Sequence, residues 1–282
     1  MTSTKPTWFI TGASSGFGMA FARYALDRGY NVVATARSIG KLEAFAGSAP
    51  DRVLVHKLDV TVPSEAEQAV AAAVARFGRI DVVINNAGYG IIGAIEETPD
   101  GELRALMETN FFGAVAVTKA ALPLLRRQRA GAFVNISSFG GQTSFAGVSA
   151  YSASKFALEG MSEALAQEVA PFDIKLLIVE PGAFRTGFAA DALKQMPVMQ
   201  AYENIVGGTR ELARNMHGTQ AGDPYKAARA IDLALNAETT PLRLQLGADA
   251  VAAVKLHAEQ MLKDLAAWEK IGLDTQLETI AA

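Results

Sequence analysis

The sequence predicts a single α/β domain: a Rossmann-type doubly wound parallel sheet of about seven strands with helices on both faces. Three observations predict it. Short apolar, β-branched runs alternate with longer stretches of helical period, the pattern of β-α-β units whose strands are buried on both faces. A glycine-rich segment stands between the first run and the first helix. No internal repeat, low-complexity tract or linker divides the 282 residues, half of them apolar, a length that buries a large core.

In chain order, W-F-I-T (8–11) is the first strand and leads into T-G-A-S-S-G-F-G (11–18), whose last glycines open a helix over 16–28. N-V-V-A-T-A (31–36), V-L-V-H-K-L (53–58) and V-V-I-N (82–85) follow as strands, with a helix at 64–77 and another at 101–127. A-F-V-N-I-S (132–137) and K-L-L-I-V-E (175–180) flank a helix at 151–170, and L-R-L-Q-L (242–246) follows a helix at 225–236. Right-handed crossovers assemble these units into one sheet. Residues 183–222 carry no strand signal and are rich in large apolar groups; an insertion of this kind after a strand is read as a substrate lid or binding loop. Residues 248–282 form a tail with a helical core at 250–270, expected to pack on the domain or on a partner.

Composition narrows the chemistry. There are no cysteines, which removes disulfides and thiolate nucleophiles, and the three histidines lie far apart, which argues against a metal centre. The net charge is −3, with no basic face for nucleic acid. The first residues lack the apolar core of a signal peptide, and no run of about 18 apolar residues suggests a membrane span. A soluble, cytoplasmic protein is expected.

Residues 12–16 match the G-x-S-x-G of a serine nucleophile. The same stretch also suits a phosphate cradle, because a helix amino terminus offers unpaired N–H groups and partial positive charge. Gly12 allows the sharp turn, Gly16 lets backbone approach phosphate, and Gly18 lets the helix pack on the sheet. A nucleophile elbow does not need Gly18, and the sequence has no H-G-G-G-type oxyanion loop, so the cradle is favoured. A second glycine pattern at 88–93 does not open a helix, since the next helix starts only near Thr98 and Pro99; it is read as a flexible loop beside the cleft. After the second strand, where an acid would hold a free 2′-hydroxyl, stands Arg37. An arginine there suits a 2′-phosphate, so NADP(H) is preferred and NAD(H) accepted more weakly.

Tyr151 and Lys155 lie four residues apart, on one face of a helix. A nearby ammonium would stabilise the phenolate and lower its pKa from about 10. Ser138 ends the fifth strand, at the sheet edge where α/β folds bind ligands.

Together these motifs resemble the short-chain dehydrogenase/reductase family, in its single-domain branch. They stand in order: T-G-A-S-S-G-F-G at 11–18, L-D-V at 58–60, N-N-A-G at 85–88, Asn110 in T-N-F-F-G, N-I-S-S at 135–138, Y-S-A-S-K at 151–155 and P-G-A-F-R-T at 181–186. N-N-A-G-Y-G and L-R-L-Q-L-G-A-D-A point toward its steroid- and retinol-dehydrogenase-like group. The resemblance implies Tyr151 as general acid/base and Lys155 as its pKa modifier and a ligand of the nicotinamide ribose. It implies Ser138 as a hydrogen-bond donor to the substrate oxygen, and Asn110 as holder of a water that links Lys155 to solvent. Gly12, Ser14, Ser15, Gly16, Phe17 and Gly18 would carry the pyrophosphate. Asp59 and Val60 would contact the adenine, and Asn86, Ala87 and Gly88 the ribose. Pro181, Gly182, Phe184 and Thr186 would lie by the carboxamide. Phe17 replaces a more usual aliphatic residue, with little consequence expected.

The expected substrate is a small hydrophobic ketone, aldehyde or secondary alcohol, lined by Phe139, Gln142, Phe145, Val148, Phe184, Phe188 and the methionines of the insertion. The alternative is a non-catalytic NADP-sensing regulator on the same fold, which need not keep Asn110, Ser138, Tyr151 and Lys155 together. The long tail lacks the short finish of tetrameric family members and favours a monomer or homodimer, with the helices at 107–128 and 156–167 as a dimer face.

Overall fold

The computed structural model describes residues 5–277. Its elements run β1 (Thr7–Ile10), α1 (Gly16–Asp27), β2 (Asn31–Ala36), α2 (Gly40–Gly47), β3 (Val53–Lys57), α3 (Pro63–Phe77), β4 (Val82–Asn85), β5 (Gly90–Ile92) and α4 (Asp100–Met107). A π-helical turn (Glu108–Phe112) leads into α5 (Gly113–Gln128), β6 (Gly131–Ile136), α6 (Ser149–Val169) and β7 (Ile174–Pro181). Then come α7 (Phe188–Asp191), β8 (Leu193–Gln195), α8 (Glu203–Met216), α9 (Pro224–Leu235), β9 (Arg243–Leu246) and α10 (Ala248–Leu273).

Seven strands form one parallel sheet in the order β3-β2-β1-β4-β6-β7-β9. The direction of winding reverses between β1 and β4, and the carboxyl ends there open a crevice. Side chains alternate across the sheet. Trp8, Ile10 and Val32 pack with Phe21 and Ile231 on the α1/α9 side, while Phe9, Val33 and Val83 pack with Val70 and Val117 on the α3/α5 side. Burial of both faces is why these strands read as continuous apolar runs.

Three expectations are corrected. The helix expected over 101–127 is two helices joined by the π turn, because neither its propensity nor its apolar period marks a register change of one residue. Helix α2 was not expected. The insertion does contain a strand: β8 pairs in parallel with β5, the segment expected to be a flexible loop. Each of these strands is three residues long, too short to show a period. The glycines of 88–93 serve packing. A Cβ on Gly90 would stand 2.6 Å from Leu193, and one on Gly93 2.7 Å from Met196.

The insertion is anchored at both ends. At its base, Gly222 N–H donates to the Ala183 carbonyl (3.1 Å) and Arg185 N–H to that of Gly222 (2.8 Å). At its far side Arg210 of α8 pairs with Glu97 (2.7 Å), both buried, and Arg210 also donates to the Met196 carbonyl (2.8 Å). Glu97 further accepts from the N–H groups of Ala94 and Met199. Among the described residues, no helix is long and apolar enough to cross a membrane. Residues 278–282 of the expected tail lie outside the described residues.

Candidate active site

The turn after β1 is shaped by its glycines. Gly12 (φ +64°) and Gly16 (φ +51°) occupy the left-handed region, where a side chain is strained. A Cβ on Gly12 would lie 3.0 Å from Ala87 Cα, and one on Gly18 only 2.3 Å from the Gly12 carbonyl. Ser15 caps α1 in extended conformation with no side-chain hydrogen bond, which leaves the first-turn N–H groups without a capping side chain and suits them to an anion. This cradle, closed to any side chain, fits a pyrophosphate. Thr11 Oγ1 accepts from the N–H groups of Asn86 (2.9 Å) and Ala87 (3.0 Å), locking the turn to the end of β4. Asn86 turns its side-chain nitrogen back to the Thr11 carbonyl (2.8 Å) and the Gly12 carbonyl (3.2 Å), tying the end of β4 to the turn a second time. Among the described residues, no hydrogen bond links Ser14 to a histidine.

Phe17 has more consequence than expected. Its ring lies 5.4 Å from that of Phe21 and 5.0 Å from that of Phe184, joining the turn to the segment after β7. Thr186 sits beside Gly16, where an added Cβ would be 3.4 Å from Thr186 Cβ. A cavity of about 480 Å³ lies along this junction, lined by Ser15, Gly16, Arg185, Thr186 and His217. Pro181 ends β7 and is buried, and Gly182 follows it against the Asp249 carboxylate. Arg37 is exposed at the carboxyl end of β2. Asp59 accepts from Thr61 N–H (3.0 Å) and Oγ1 (2.7 Å). Burial pushes its carboxyl up, but the Thr61 hydrogen bonds and the charges of Arg37 and Lys57 outweigh that and hold it below the ordinary value. Val60 is buried against Gly113.

The remaining residues meet at the carboxyl edge of β4 and β6. Ser138 follows β6, and its Oγ accepts from Gly140 N–H (3.0 Å). Tyr151 lies in the first turn of α6 and is half-buried; Lys155 is one turn on and buried. Lys155 Nζ donates to the Ile136 carbonyl (2.9 Å) and stands 5.8 Å from the Tyr151 ring centre. Asn110, in the π turn, donates to the Tyr89 carbonyl (2.9 Å) and to Ser154 Oγ (3.0 Å) and accepts from Tyr89 N–H (3.0 Å). Gly88 fits between them: a Cβ there would be 3.0 Å from Asn110 Oδ1 and 3.7 Å from Lys155 Nζ.

The expected lowering of the Tyr151 pKa is not found in the chain alone. Burial pushes Tyr151 up to about 12, opposed only by its hydrogen bond with Ser138. Burial brings Lys155 down to about 8, opposed by the charge of Glu159. Lys155 gives a hydrogen bond to a backbone carbonyl, and among the described residues none joins it to Tyr151, so the burial of Tyr151 is not offset by it.

The expected pocket wall divides. Phe188 faces Tyr151 at 6.2 Å, and Phe139 stacks on Phe145 at 6.3 Å. Gln142 turns to Glu159 (3.1 Å), and Met196 and Val148 are core residues, so these three are removed from an open wall. Sequence reasoning missed Thr11, Ser154 and a buried network behind Lys155. There Glu159 and Glu180 share Arg243 (3.1 and 3.5 Å), and burial raises Glu180 to about 7. The periodicity of α6 and the acid inside an apolar strand were the available signals.

The comparisons with known proteins agree with this geometry. The family model for short chain dehydrogenase matches residues 6–197. An oxidoreductase of Botryotinia fuckeliana, BOA17, is 40% identical over 94% of this chain and 97% of its own. Retinol dehydrogenase 8 of Homo sapiens is 36% identical over 87% of this chain and 82% of its own. The crystal structure of a short-chain dehydrogenase from Streptomyces avermitilis is 48% identical, covers 98% of this chain and 100% of its own, and superposes with a TM-score of 0.92. An alcohol dehydrogenase from Thermococcus sibiricus, solved with 5-hydroxy-NADP, is 26% identical, with 86% and 96% coverage and a TM-score of 0.72. With its sheet order, its glycine turn and the grouping of Asn110, Ser138, Tyr151 and Lys155, this chain belongs to the short-chain dehydrogenase family of oxidoreductases.

Proposed function

We propose that this chain is an NADP(H)-preferring oxidoreductase that interconverts a hydrophobic ketone or aldehyde and its alcohol, with Tyr151 as general acid/base. The observation that carries the reading is the convergence of Ser138, Tyr151, Lys155 and Asn110 at the carboxyl edge of the sheet, beside a glycine turn built for phosphate. The nicotinamide, when bound, supplies or takes up the hydride.

The chain's own groups do the rest. The amino terminus of α1, with Ser14, Ser15 and Gly16, holds the pyrophosphate. Arg37 pairs with the 2′-phosphate, Asp59 and Val60 border the adenine, and backbone at 86–88 borders the ribose. Gly182, Phe184 and Thr186 border the carboxamide end. Ser138 Oγ donates to the substrate oxygen and steadies its developing charge. Tyr151, protonated at neutral pH, delivers its proton to that oxygen during reduction. Lys155 orients the ribose and supplies positive charge near Tyr151. Asn110 fixes the Tyr89 backbone and, through Ser154, the first turns of α6. The insertion over 183–222 forms the substrate wall, with Phe184 and Phe188 facing the cleft. The apolar wall and the retinol dehydrogenase relative support a hydrophobic substrate. The NADP-bound relative and Arg37 support the cofactor preference.

The test is a panel of hydrophobic carbonyls and alcohols, run in parallel with NADPH/NADP and NADH/NAD. Turnover with the phosphorylated pair dominant is expected. Comparable rates with NADH would refute the role of Arg37. NADPH binding without turnover on any member would favour a sensor.

A further inference from the structure

We infer that α10 pairs antiparallel with α10 of a second copy of this chain. This does not rest on the catalytic reading. The helix spans Ala248–Leu273, and Ala250 is its one buried residue among those described. From residue 258 onward every described position is exposed, including Met261 (59%), Leu265 (65%) and Trp268 (66%). That part extends about 24 Å beyond the body at 1.5 Å per residue. Most helical stability in proteins comes from packing an amphipathic face, and this segment packs none of its apolar residues on the described body. The Streptomyces avermitilis crystal structure covers 98% of this chain, so all but a few of its residues have a counterpart in a solved structure.

The helix carries a seam that is exposed from residue 258 onward and begins at the half-buried Val254. Val254, Ala258, Met261, Leu265, Trp268 and Gly272 recur at intervals of four, three, four, three and four, the heptad spacing of a coiled coil. Laid against itself in antiparallel register, the seam is complementary in size. Trp268 meets Ala258 of the second copy, Val254 meets Gly272, and Met261 meets Leu265. It is also complementary in charge at its flank, where Lys255 of each copy meets Glu269 of the other. Lys255 is otherwise engaged only at 4.0 Å with Glu259, and Glu269 has no ion pair among the described residues. A membrane surface would be recognised by a basic face. The charged residues of α10 are Asp249, Lys255, Glu259, Lys263, Asp264, Glu269 and Lys270, a mixture that favours a protein partner over anionic lipid. One pair opposes the register: Asp264 meets its own copy near the two-fold axis, beside Gln260, which donates to it.

The pairing joins one helix of each copy, and contact area does not by itself set affinity, so the test spans a wide range of concentration. Sedimentation or light scattering of the full chain from about 1 to 200 μM should show monomer passing to dimer. Glu269→Lys, which sets lysine against Lys255, should weaken the dimer about tenfold. Lys255→Glu combined with Glu269→Lys should restore it, and Asp264→Asn should tighten it. Circular dichroism of each variant checks that the helix is retained. A monomer throughout, with or without vesicle binding, would overturn the pairing. So would a dimer that Glu269→Lys leaves unchanged, or a loss that the double exchange does not recover.

Discussion

Tyr151 and Lys155 are moved in opposite senses by the same burial: the phenol rises to about 12 and the ammonium falls to about 8. At neutral pH the chain therefore presents a proton donor beside a cation, the arrangement that reduction needs. The reduction rate should hold up to about pH 8 and then fall as Lys155 loses its proton, well before an exposed lysine would. A pH–rate profile checks this. The unfolded chain keeps that proton to about 10.5, so between these values Lys155 makes the fold more stable as pH rises; the rate loss is then not unfolding. A second expectation concerns Arg37. Arg37→Asp should lower kcat/KM with NADPH roughly ten- to a hundredfold, the cost of one charge-assisted contact, and leave NADH unharmed; steady-state kinetics with both cofactors decides it. These residues were legible because their chemistry demands a residue type at a fixed place. Thr11, Ser154 and the true partners of Asn86 and Gln142 were not. A hydroxyl or amide can satisfy many donors, and which one it meets is decided by tertiary packing.

At the scale of elements, the sheet strands were legible to within one or two residues, because burial on both faces writes an unbroken apolar run. The π turn at Glu108–Phe112 was not, since helix propensity runs through it unbroken and a single-turn bulge has no residue signal of its own. Yet that turn carries Asn110 to Tyr89 and Ser154. The β5–β8 pair was hidden for a different reason: it forms only because two distant segments pack on each other. The insertion, read from the sequence as a lid or binding loop, is tied to the body by the buried Glu97–Arg210 pair. Arg210→Ala leaves Glu97 buried without its cation and should cost about 3–5 kcal/mol. Limited proteolysis should then cut within 193–216 first, while NADPH binding, made by the glycine turn on another element, persists. Uniform resistance to protease would contradict this view of the insertion.

For the whole molecule, topology was the most legible property: alternation of strands and helices leaves few right-handed ways to close a parallel sheet, and the observed order places the winding reversal between the glycine turn after β1 and β4, the neighbour of the strand that Ser138 follows. The tail was legible as an amphipathic helix, but which of the two, the domain or a partner, its apolar face meets was not, because the period is the same in either case. The central claim is that this fold brings one protonated phenol to the substrate oxygen. Turnover of a hydrophobic carbonyl by Tyr151→Phe, measured beside NADPH affinity, tests it most directly. Removing a general acid of this kind should lower kcat by at least about a hundredfold with cofactor affinity unchanged, whereas turnover near that of the unmodified chain would contradict the account.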